Sequence, residues 1–381
     1  MKQTIFIAAI FNFQFSIFNF QFLAAQDSSN IQLLYHWEDT TLVGSIWFDN
    51  VYNEIWGYAN NGREYAIIGS TAGTHIFDVT DPNSVDTIAF IPGAAQGGQI
   101  IHRDYHDYAG YLYMVSDEGA STLQIADLSY LPDSIPLVYD SDILIKNSHN
   151  IFIDTATAKL YACAMDDGAW VYKAMGIFSL ADPENPTFLS ELILQGSQGS
   201  HVHDAYVRND TAYCSNGMAG LFIFDLTNPA SPQLLGSLTT YPDQDYNHSG
   251  WLTEDGKYYV FMDEAPAMDV KIYDVSDLSN MAYVSQFNSG VDPLSMAHNV
   301  IIKGRYAYCS YYHDGLQIFD ISDPSNPVNV GYYDTYTPPD HVSYRGAWGV
   351  YPYLPSGKIL ISDMQYGLFV LRLCATPLAY F

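Results

Sequence analysis

Short stretches in which apolar and polar residues alternate recur along the chain, and several of them end in a turn rich in Asp, Asn and Pro. Alternation with a period of two is typical of half-buried β-strands, and Pro and Asx residues favour turns. The stretches share one form: FDISDPSNPVNV from Phe319, FDVTDPNSV from Phe77, FSLADPENPTF from Phe178, FDLTNPASPQL from Phe224 and YDVSDLSNMAYV from Tyr273. The pattern predicts one strand–turn–strand element that the chain repeats.

Two further predicted strands precede each of these turns, so the repeat unit contains four strands. Tight turns at Lys303–Gly304 and Asp314–Gly315 predict antiparallel hairpins within the unit. The units start, at intervals of 45 to 54 residues, at Trp56, Arg103, His149, His203, His248, His298 and Trp348. Four antiparallel strands at this period indicate a propeller blade. We therefore predict an all-β, seven-bladed β-propeller with four-stranded antiparallel blades.

The seventh unit has few residues left for an outer strand. The segment IQLLYHWEDT, residues 31–40, resembles the outer strand NVGYYDT of unit six. We predict that residues 31–40 complete blade seven, because such a clasp removes the open edge of the ring. Residues 26–381 then form one propeller domain.

The N-terminus has the pattern of a secretory signal peptide. Lys2 precedes an apolar stretch, residues 5–11, and the small residues of LAAQ follow. We expect residues 1–25 to be cleaved, which predicts a secreted protein that is extracellular, held at the cell surface or periplasmic. Polar residues interrupt the apolar stretch, so we expect no transmembrane segment after cleavage.

Composition narrows the classes of partner. The 381 residues carry 42 acids against 14 bases, a net charge of −28, which opposes binding to nucleic acid or to an anionic membrane. An extracellular protein or a glycan remains as the expected ligand, and a closed ring with no free edge predicts a monomer. Apolar strands contain the three cysteines that we expect to be buried free thiols, namely Cys163, Cys214 and Cys309.

Several stretches of the sequence, by their order and spacing, also resemble those of a known protein family. They are EIWGYANNGREYAIIGSTAGTHIFDVTDP, HRDYHDYAGYLYMVSDEG, SHNIFID, SHVHDAYV, NHSGWLTEDGKYYVFMDE, MAHNVIIKGRYAYCSYYHDGLQIFDISD and RGAWGVYPYLPSGKILISDMQYGLFVLR. Together they resemble the LVIVD-repeat β-propellers and, more narrowly, the choice-of-anchor B family of secreted bacterial proteins. The resemblance implies a secreted propeller and assigns no biochemical activity.

Histidines at equivalent positions are the candidate chemistry. Four consecutive units open with His149, His203, His248 and His298. The first strand of a blade lines the channel, and the end of the second strand returns to the same face, so histidines and acids should share one mouth. Imidazole binds zinc or copper, and carboxylates bind calcium or orient the imidazole. The candidate metal ligands are His149, His203, His248, His298, His201, His106, Asp263 and Glu264.

Two alternatives stay open at this stage. Each histidine could instead cap its own blade through a hydrogen bond to the neighbouring loop, and Trp56 and Trp348, which occupy the equivalent position in units one and seven, cannot bind a metal. For function, the sequence favours a secreted binding module, because it contains no GxSxG elbow, P-loop or GxGxxG motif. The alternative is a metal-dependent propeller enzyme, an oxidoreductase or a hydrolase, that uses the histidines of the channel mouth.

Overall fold

Seven antiparallel sheets, one for each predicted repeat, make up the fold. The computed structural model describes residues 27–339, 341 and 343–374. Each sheet has four strands in antiparallel order, and one sheet carries a fifth, two-residue strand. The first strands of consecutive sheets contact one another, and the last contacts the first. The sheets are therefore the blades of a closed ring, as predicted.

Strand bounds in the first half of the ring are as follows. Two N-terminal strands, β1 (Ser28–Ser29) and β2 (Ile31–Trp37), come before the first complete blade. Blade one contains β3 (Tyr52–Asn60), β4 (Arg63–Ser70), β5 (Gly73–Asp78) and β6 (Asp86–Pro92). Blade two contains β7 (Arg103–Tyr108), β8 (Tyr111–Ser116), β9 (Leu123–Asp127) and β10 (Leu137–Ser141). Blade three contains β11 (Asn147–Asp154), β12 (Lys159–Asp166), β13 (Tyr172–Ser179) and β14 (Thr187–Leu192).

The remaining blades repeat this arrangement. Blade four contains β15 (Asp204–Arg208), β16 (Thr211–Ser215), β17 (Leu221–Asp225) and β18 (Gln233–Leu238). Blade five contains β19 (Asn247–Leu252), β20 (Tyr258–Asp263), β21 (Val270–Asp274) and β22 (Ala282–Phe287). Blade six contains β23 (Asn299–Lys303), β24 (Tyr306–Ser310), β25 (Leu316–Asp320) and β26 (Val328–Tyr333), and blade seven contains β27 (Ala347–Tyr351), β28 (Lys358–Asp363) and β29 (Gly367–Leu373). Two single-turn 3₁₀ helices, Leu128–Tyr130 and Gly196–Gln198, lie between strands.

The N-terminal strands close the ring. Strand β2 pairs with β29 from Ile31 opposite Leu373 to Trp37 opposite Leu368, which confirms the predicted completion of blade seven. A second contact was not predicted: β1 pairs with β26 and extends blade six. The predicted signal peptide, residues 1–25, lies outside the described residues.

Local sequence explains the turns. The hairpin between β15 and β16 turns through Asn209 and Asp210, both at positive φ, which is the geometry that tight hairpins require. In the Asp- and Pro-rich turns, an Asp side chain accepts a hydrogen bond from the backbone N–H of the residue two positions later. Asp323, for example, accepts from the N–H of Ser325 at 3.0 Å. The repeated acids of these turns therefore hold the backbone in place.

Packing between neighbouring blades forms the core. One buried cluster joins blades three and four through residues such as Cys163, Cys214 and Phe224. Another joins blades five and six through residues such as Ile272 and Cys309. All three strand cysteines are free and buried, as predicted. Each fully buried large side chain contributes about 1.5–3 kcal/mol, so the interfaces between blades stabilise the ring.

Candidate metal centre

One mouth of the channel is lined by a closed circle of aromatic rings. Ring centroids are 4.1 Å apart between His149 and His203, and 4.5 Å apart both from His203 to His248 and from His248 to His298. Trp348 follows at 4.2 Å from His298, and His102 closes the circle at 5.2 Å from Trp348 and 4.7 Å from His149. The four predicted histidines therefore do share one mouth, with a fifth beside them.

Strand register explains why the rings point to the axis. Asn247 pairs with Asp263 and Ser249 pairs with Met262, so His248 is an extra residue that the ladder skips. A bulged residue of this kind turns its side chain away from the pleat. His298 lies one residue before β23, where the chain enters the blade. The repeat thus delivers an imidazole at the point where each of these inner strands begins.

The first of two ligand groups joins blades two and three. It consists of His102, Asp117 and His149, whose ligand atoms lie within 4.8 Å of one another. Asp117 Oδ2 lies 2.9 Å from His149 Nδ1, and Glu118 accepts from His102 Nδ1. Burial acts to lower the pKa of His149, but the hydrogen bond and charge of Asp117 outweigh it and raise that pKa. Asp117 thus favours the protonated form of His149.

A second ligand group joins blades four and five. It consists of His203, His248 and Glu264, again with ligand atoms within 4.8 Å of one another. His248 Nε2 lies 3.7 Å from Glu264 Oε2, and Tyr312 donates a hydrogen bond to the other oxygen of Glu264. Burial raises the pKa of Glu264 to about 7, against the opposing hydrogen bond from Tyr312. The group therefore combines two imidazoles with one carboxylate that a neighbour orients.

Hydrogen bonds link the two groups. The Nε2 atoms of His149 and His203 are 3.1 Å apart, and His203 Nδ1 lies 3.0 Å from the hydroxyl of Tyr246. That hydroxyl lies 2.8 Å from His201 Nε2. Asp117 holds Nδ1 of His149, so Nε2 is the nitrogen of His149 that faces His203. A chain of five side chains therefore crosses the mouth.

Three further imidazoles of the circle have lowered pKa values, which favours their neutral form. Burial, reinforced by the neighbouring imidazoles, places the pKa values of His203 and His248 well below the usual value, and burial lowers the pKa of His298 to about 3. Neutral imidazole is the form that binds a metal ion. A donor set of imidazole nitrogens with one carboxylate suits zinc or copper, whereas calcium takes oxygen ligands. Of the metals considered from the sequence, zinc and copper fit these groups.

Two predicted ligands lie elsewhere. His106 is near the opposite mouth, where its ring centroid lies 4.5 Å from that of Trp56 and its Nδ1 lies 3.0 Å from the carbonyl oxygen of Asp107. Asp263 is buried inside blade five, where it accepts from Lys271 at 2.6 Å and from Tyr241 at 2.7 Å. These two residues therefore do not belong to the group at the histidine mouth, and the packing of their own blades occupies them.

Trp56 was also placed wrongly from the sequence. It contacts His106 and Tyr351 at the opposite mouth, because its position in β3 corresponds to that of Tyr351 in β27 and not to that of Trp348. His201 lies beside the ring rather than in it and reaches it through Tyr246. Only Trp348 therefore takes the histidine position.

Sequence reasoning missed four members of the network as site residues. His102 precedes the expected unit start at Arg103, and Asp117 was one of several acids at strand ends. Tyr246 and Tyr312 lie just outside named strands, in segments whose positions do not repeat between blades. For His102, the available signal was the pair of acids Asp117 and Glu118 at the end of the next strand. A partly buried histidine near a strand end needs a hydrogen-bond partner, and these acids can supply it.

Comparisons with known proteins support the repeat and the fold. Residues 199–240 and 295–335, which contain blades four and six, match the LVIVD repeat. The chain contains LVIVD repeats. No curated protein matches the LVIVD-repeat chain. Among the described residues, no helix has the length and hydrophobicity needed to cross a membrane.

Solved structures share the fold at low identity. The chain resembles a periplasmic gluconolactonase from Pseudomonas aeruginosa with a TM-score of 0.57 and 11% identity, over 83% of this chain and 90% of that one. A protein from Lactobacillus plantarum gives 0.57 and 12%, over 82% and 89%. A functionally unknown protein from Desulfotomaculum acetoxidans gives 0.54 and 13%, over 78% and 90%. At such identities the likeness concerns the fold alone.

Proposed function

We propose that this LVIVD-repeat propeller is a secreted binding module of the choice-of-anchor B type that holds a divalent transition metal ion, zinc or copper, at its histidine mouth. His203, His248 and Glu264 are the proposed ligands. The observation that carries the proposal is the proximity of these three ligand atoms, all within 4.8 Å of one another. Tyr312 orients the carboxylate, as partners of metal ligands commonly do.

Three protein ligands leave a coordination position free for an external group. Zinc sites with three protein ligands keep their fourth position for water or for a bound molecule. The side chain of Glu264 is 14% exposed, so the proposed site can be reached from the mouth. The net charge of −28 favours accumulation of cations there. A ligand of the protein would then complete the coordination shell.

The surface around this mouth supports a macromolecular partner. Most of the large apolar side chains that are more than half exposed lie at this face, in its loops or, for Tyr172, at the first residue of β13. They are Val43, Ile46, Trp47, Ile143, Trp170, Val171, Tyr172, Ile193, Met218, Val291 and Leu294. These loops connect second to third strands and fourth to first strands, which both return to the histidine face. Exposed apolar patches of this kind commonly mark interaction surfaces.

Metal content tests the proposal directly. The protein without residues 1–25 is stripped with chelator, titrated with Zn²⁺ or Cu²⁺ in a calorimeter, and measured for bound metal after dialysis. We expect about one ion per chain, and a loss of affinity of about tenfold or more in His248→Ala. His36→Ala, which removes an imidazole from the outer strand β2, is the matched control and should bind as the wild type does. Wild-type protein that binds neither ion refutes the proposed metal site.

A metal-dependent hydrolase is the second candidate. The specific observation in its favour is the same three-ligand set, because catalytic zinc sites use three protein ligands and an activated water. The fold likeness to a gluconolactonase makes lactone hydrolysis the first reaction to test. Turnover of gluconolactone by the zinc-loaded protein that disappears in His248→Ala favours the hydrolase, whereas metal binding without turnover favours the binding module.

A further inference from the structure

The opposite mouth of the channel opens into a vestibule of about 450 Å³ with an aromatic floor. The floor comes from one position of the inner strands, which is aromatic in six of the seven blades: Trp56, His106, Phe152, Tyr206, Trp251 and Tyr351. Blade six has Ile301 at this position. A vestibule of this volume falls within the range of small-molecule sites, which are concave and lined mainly by aromatic and apolar side chains.

The floor is a fixed platform. Ring centroids lie 4.8 Å apart between Tyr206 and Trp251, and 5.0 Å apart between Trp56 and Tyr351. Phe152 lies 5.9 Å from Trp251 although blade four separates their two blades, so rings of non-adjacent blades meet over the channel. Trp56 is also held by a 2.8 Å hydrogen bond from its Nε1 to Asp107. A ligand would therefore rest on ring faces that are already in place.

Polar groups surround this platform. Arg208 donates to the hydroxyl of Tyr206 at 3.0 Å and to the carbonyl oxygen of Thr253 at 3.0 Å, which fixes its position at the side of the vestibule. Thr155 and Asn209 line the same space and are exposed. The vestibule thus combines an apolar face below with hydrogen-bonding groups at its edge.

Charge selects the class of ligand. The net charge of −28 disfavours anions. An aromatic box can also take an organic cation, but here the guanidinium of Arg208 already lies 5.6 Å from the ring centroid of Tyr206 and would repel a second cation. A neutral molecule with one apolar face and several hydroxyl groups matches both the floor and the edge. A sugar ring has this character, since its C–H groups can lie on an aromatic face while its hydroxyls reach polar side chains.

We propose that the aromatic vestibule binds a neutral sugar unit of a glycan. The sugar stacks on Trp56, Trp251 and Tyr351, and Arg208 and Asn209 contact its hydroxyl groups. This site lies at the other end of the channel from the proposed metal and uses none of its ligands, so either proposal stands without the other.

A blocking variant tests the site without removing its floor. Ala156 is exposed and lines the vestibule, so Ala156→Trp should fill it, whereas Ala181→Trp places the same bulk on an exposed turn elsewhere. The probes are neutral mono- and disaccharides of glucose, galactose, mannose and N-acetylglucosamine, with choline and glucuronate as charged comparators. Tryptophan fluorescence and calorimetry report binding, because Trp56 and Trp251 form the floor.

The expected result is saturable binding of at least one neutral saccharide that weakens by about tenfold or more in Ala156→Trp and is unchanged in Ala181→Trp. Three outcomes overturn the proposal: no neutral saccharide of the panel binds, choline or glucuronate binds in preference, or Ala156→Trp binds as tightly as the wild type. A chelator-treated sample should give the same affinity, which separates this result from the fate of the metal site.

Discussion

The two mouths of the channel are built by the same seven inner strands, yet they differ in almost every chemical respect. At the mouth where these strands begin, imidazoles and carboxylates are paired around a space with a volume of only about 20 Å³. At the mouth where they end, aromatic rings surround a vestibule of about 450 Å³. The repeat fixes the backbone at both ends, and the side chain at one position per blade decides the chemistry of each end.

A polar waist separates the mouths. The inner strands place Glu54, Asp104 and Asp204 toward the channel between the histidines and the aromatic floor. Burial raises the pKa of Asp104 to about 7 and that of Asp204 to about 6, and it places the pKa of Glu54 well above its usual value. The carboxyl groups each accept a backbone hydrogen bond, such as the 2.6 Å bond from the Ile151 N–H to Asp104. The waist therefore belongs to neither mouth.

The largest expected effect concerns the scaffold beneath the histidine mouth. Lys271 and Asp263 are both fully buried and joined at 2.6 Å. Lys271→Met leaves the carboxylate of Asp263 buried without its counter-charge, and we expect a loss of about 3–5 kcal/mol in the free energy of unfolding by urea. Adding Asp263→Asn to the same chain should recover most of the loss. Equal stability of the single and double variants would show that the pair does not support this face.

At the aromatic mouth, truncation of a ring should be nearly as costly. Trp251 packs against Phe152 and Tyr206 and contributes to the packing of several blades. Trp251→Ala should lower the free energy of unfolding by about 3 kcal/mol, because it removes apolar contacts and leaves a cavity. His203→Ala at the histidine mouth should cost far less, since that ring is held mainly by polar partners. If urea titrations show similar losses of unfolding free energy for both variants, then the aromatic mouth is not packed more tightly than the histidine mouth.

A buried acid at the end of β28 gives a pH-dependent difference. Asp363 is fully buried, and burial raises its pKa to about 7 despite hydrogen bonds from Thr335 and two backbone N–H groups. A carboxyl with a raised folded-state pKa contributes stability that is complete below about pH 4 and is lost as the pH rises through about 7. Asp363→Asn should therefore be more stable than the wild type by roughly 2 kcal/mol at pH 8, with the gain vanishing near pH 4.

Thermal unfolding at both pH values checks this prediction. A gain that persists unchanged at pH 4 assigns the effect to packing instead of ionisation. Glu64 is a buried acid on the opposite face, where it is paired with Lys358 at 2.8 Å. Burial acts to raise the pKa of Glu64, but hydrogen bonds and the pairing with Lys358 lower it. Asp363 and Glu64 are thus two buried acids whose pKa values shift in opposite directions.

The smallest expected effect lies at the waist. Ser249 donates a 2.9 Å hydrogen bond to the carbonyl oxygen of His298 and so ties blade five to blade six. Ser249→Ala removes this single neutral bond with little change in volume, and we expect a loss of about 1 kcal/mol. Chemical unfolding measures it. A loss much greater than this would mean that the waist, more than either mouth, holds the blades in register.

Much of the fold could be predicted because it is periodic. Seven equivalent strand starts and the likeness between residues 31–40 and an outer strand were enough to give the ring and its closure, and the same periodicity placed four histidines together. Periodicity failed where two units were aligned out of step: the position of Trp56 corresponds to that of Tyr351 and not to that of Trp348, so Trp56 lies at the other mouth. It was also silent on side chains from loops, such as Tyr246 and Tyr312, whose positions depend on tertiary contacts between blades.

The sharing of the last blade between β2 and β29 has a consequence for the order of events during synthesis. Strand β2 is synthesised before blade one, but its partner β29 is made only after six complete blades. For that time the strand has an unpaired backbone edge, and the contact that finally satisfies it spans most of the sequence, the kind of distant pairing that slows folding. The ring can therefore close only after β29 has been synthesised, which makes the pairing of β2 with β29 a late step in folding.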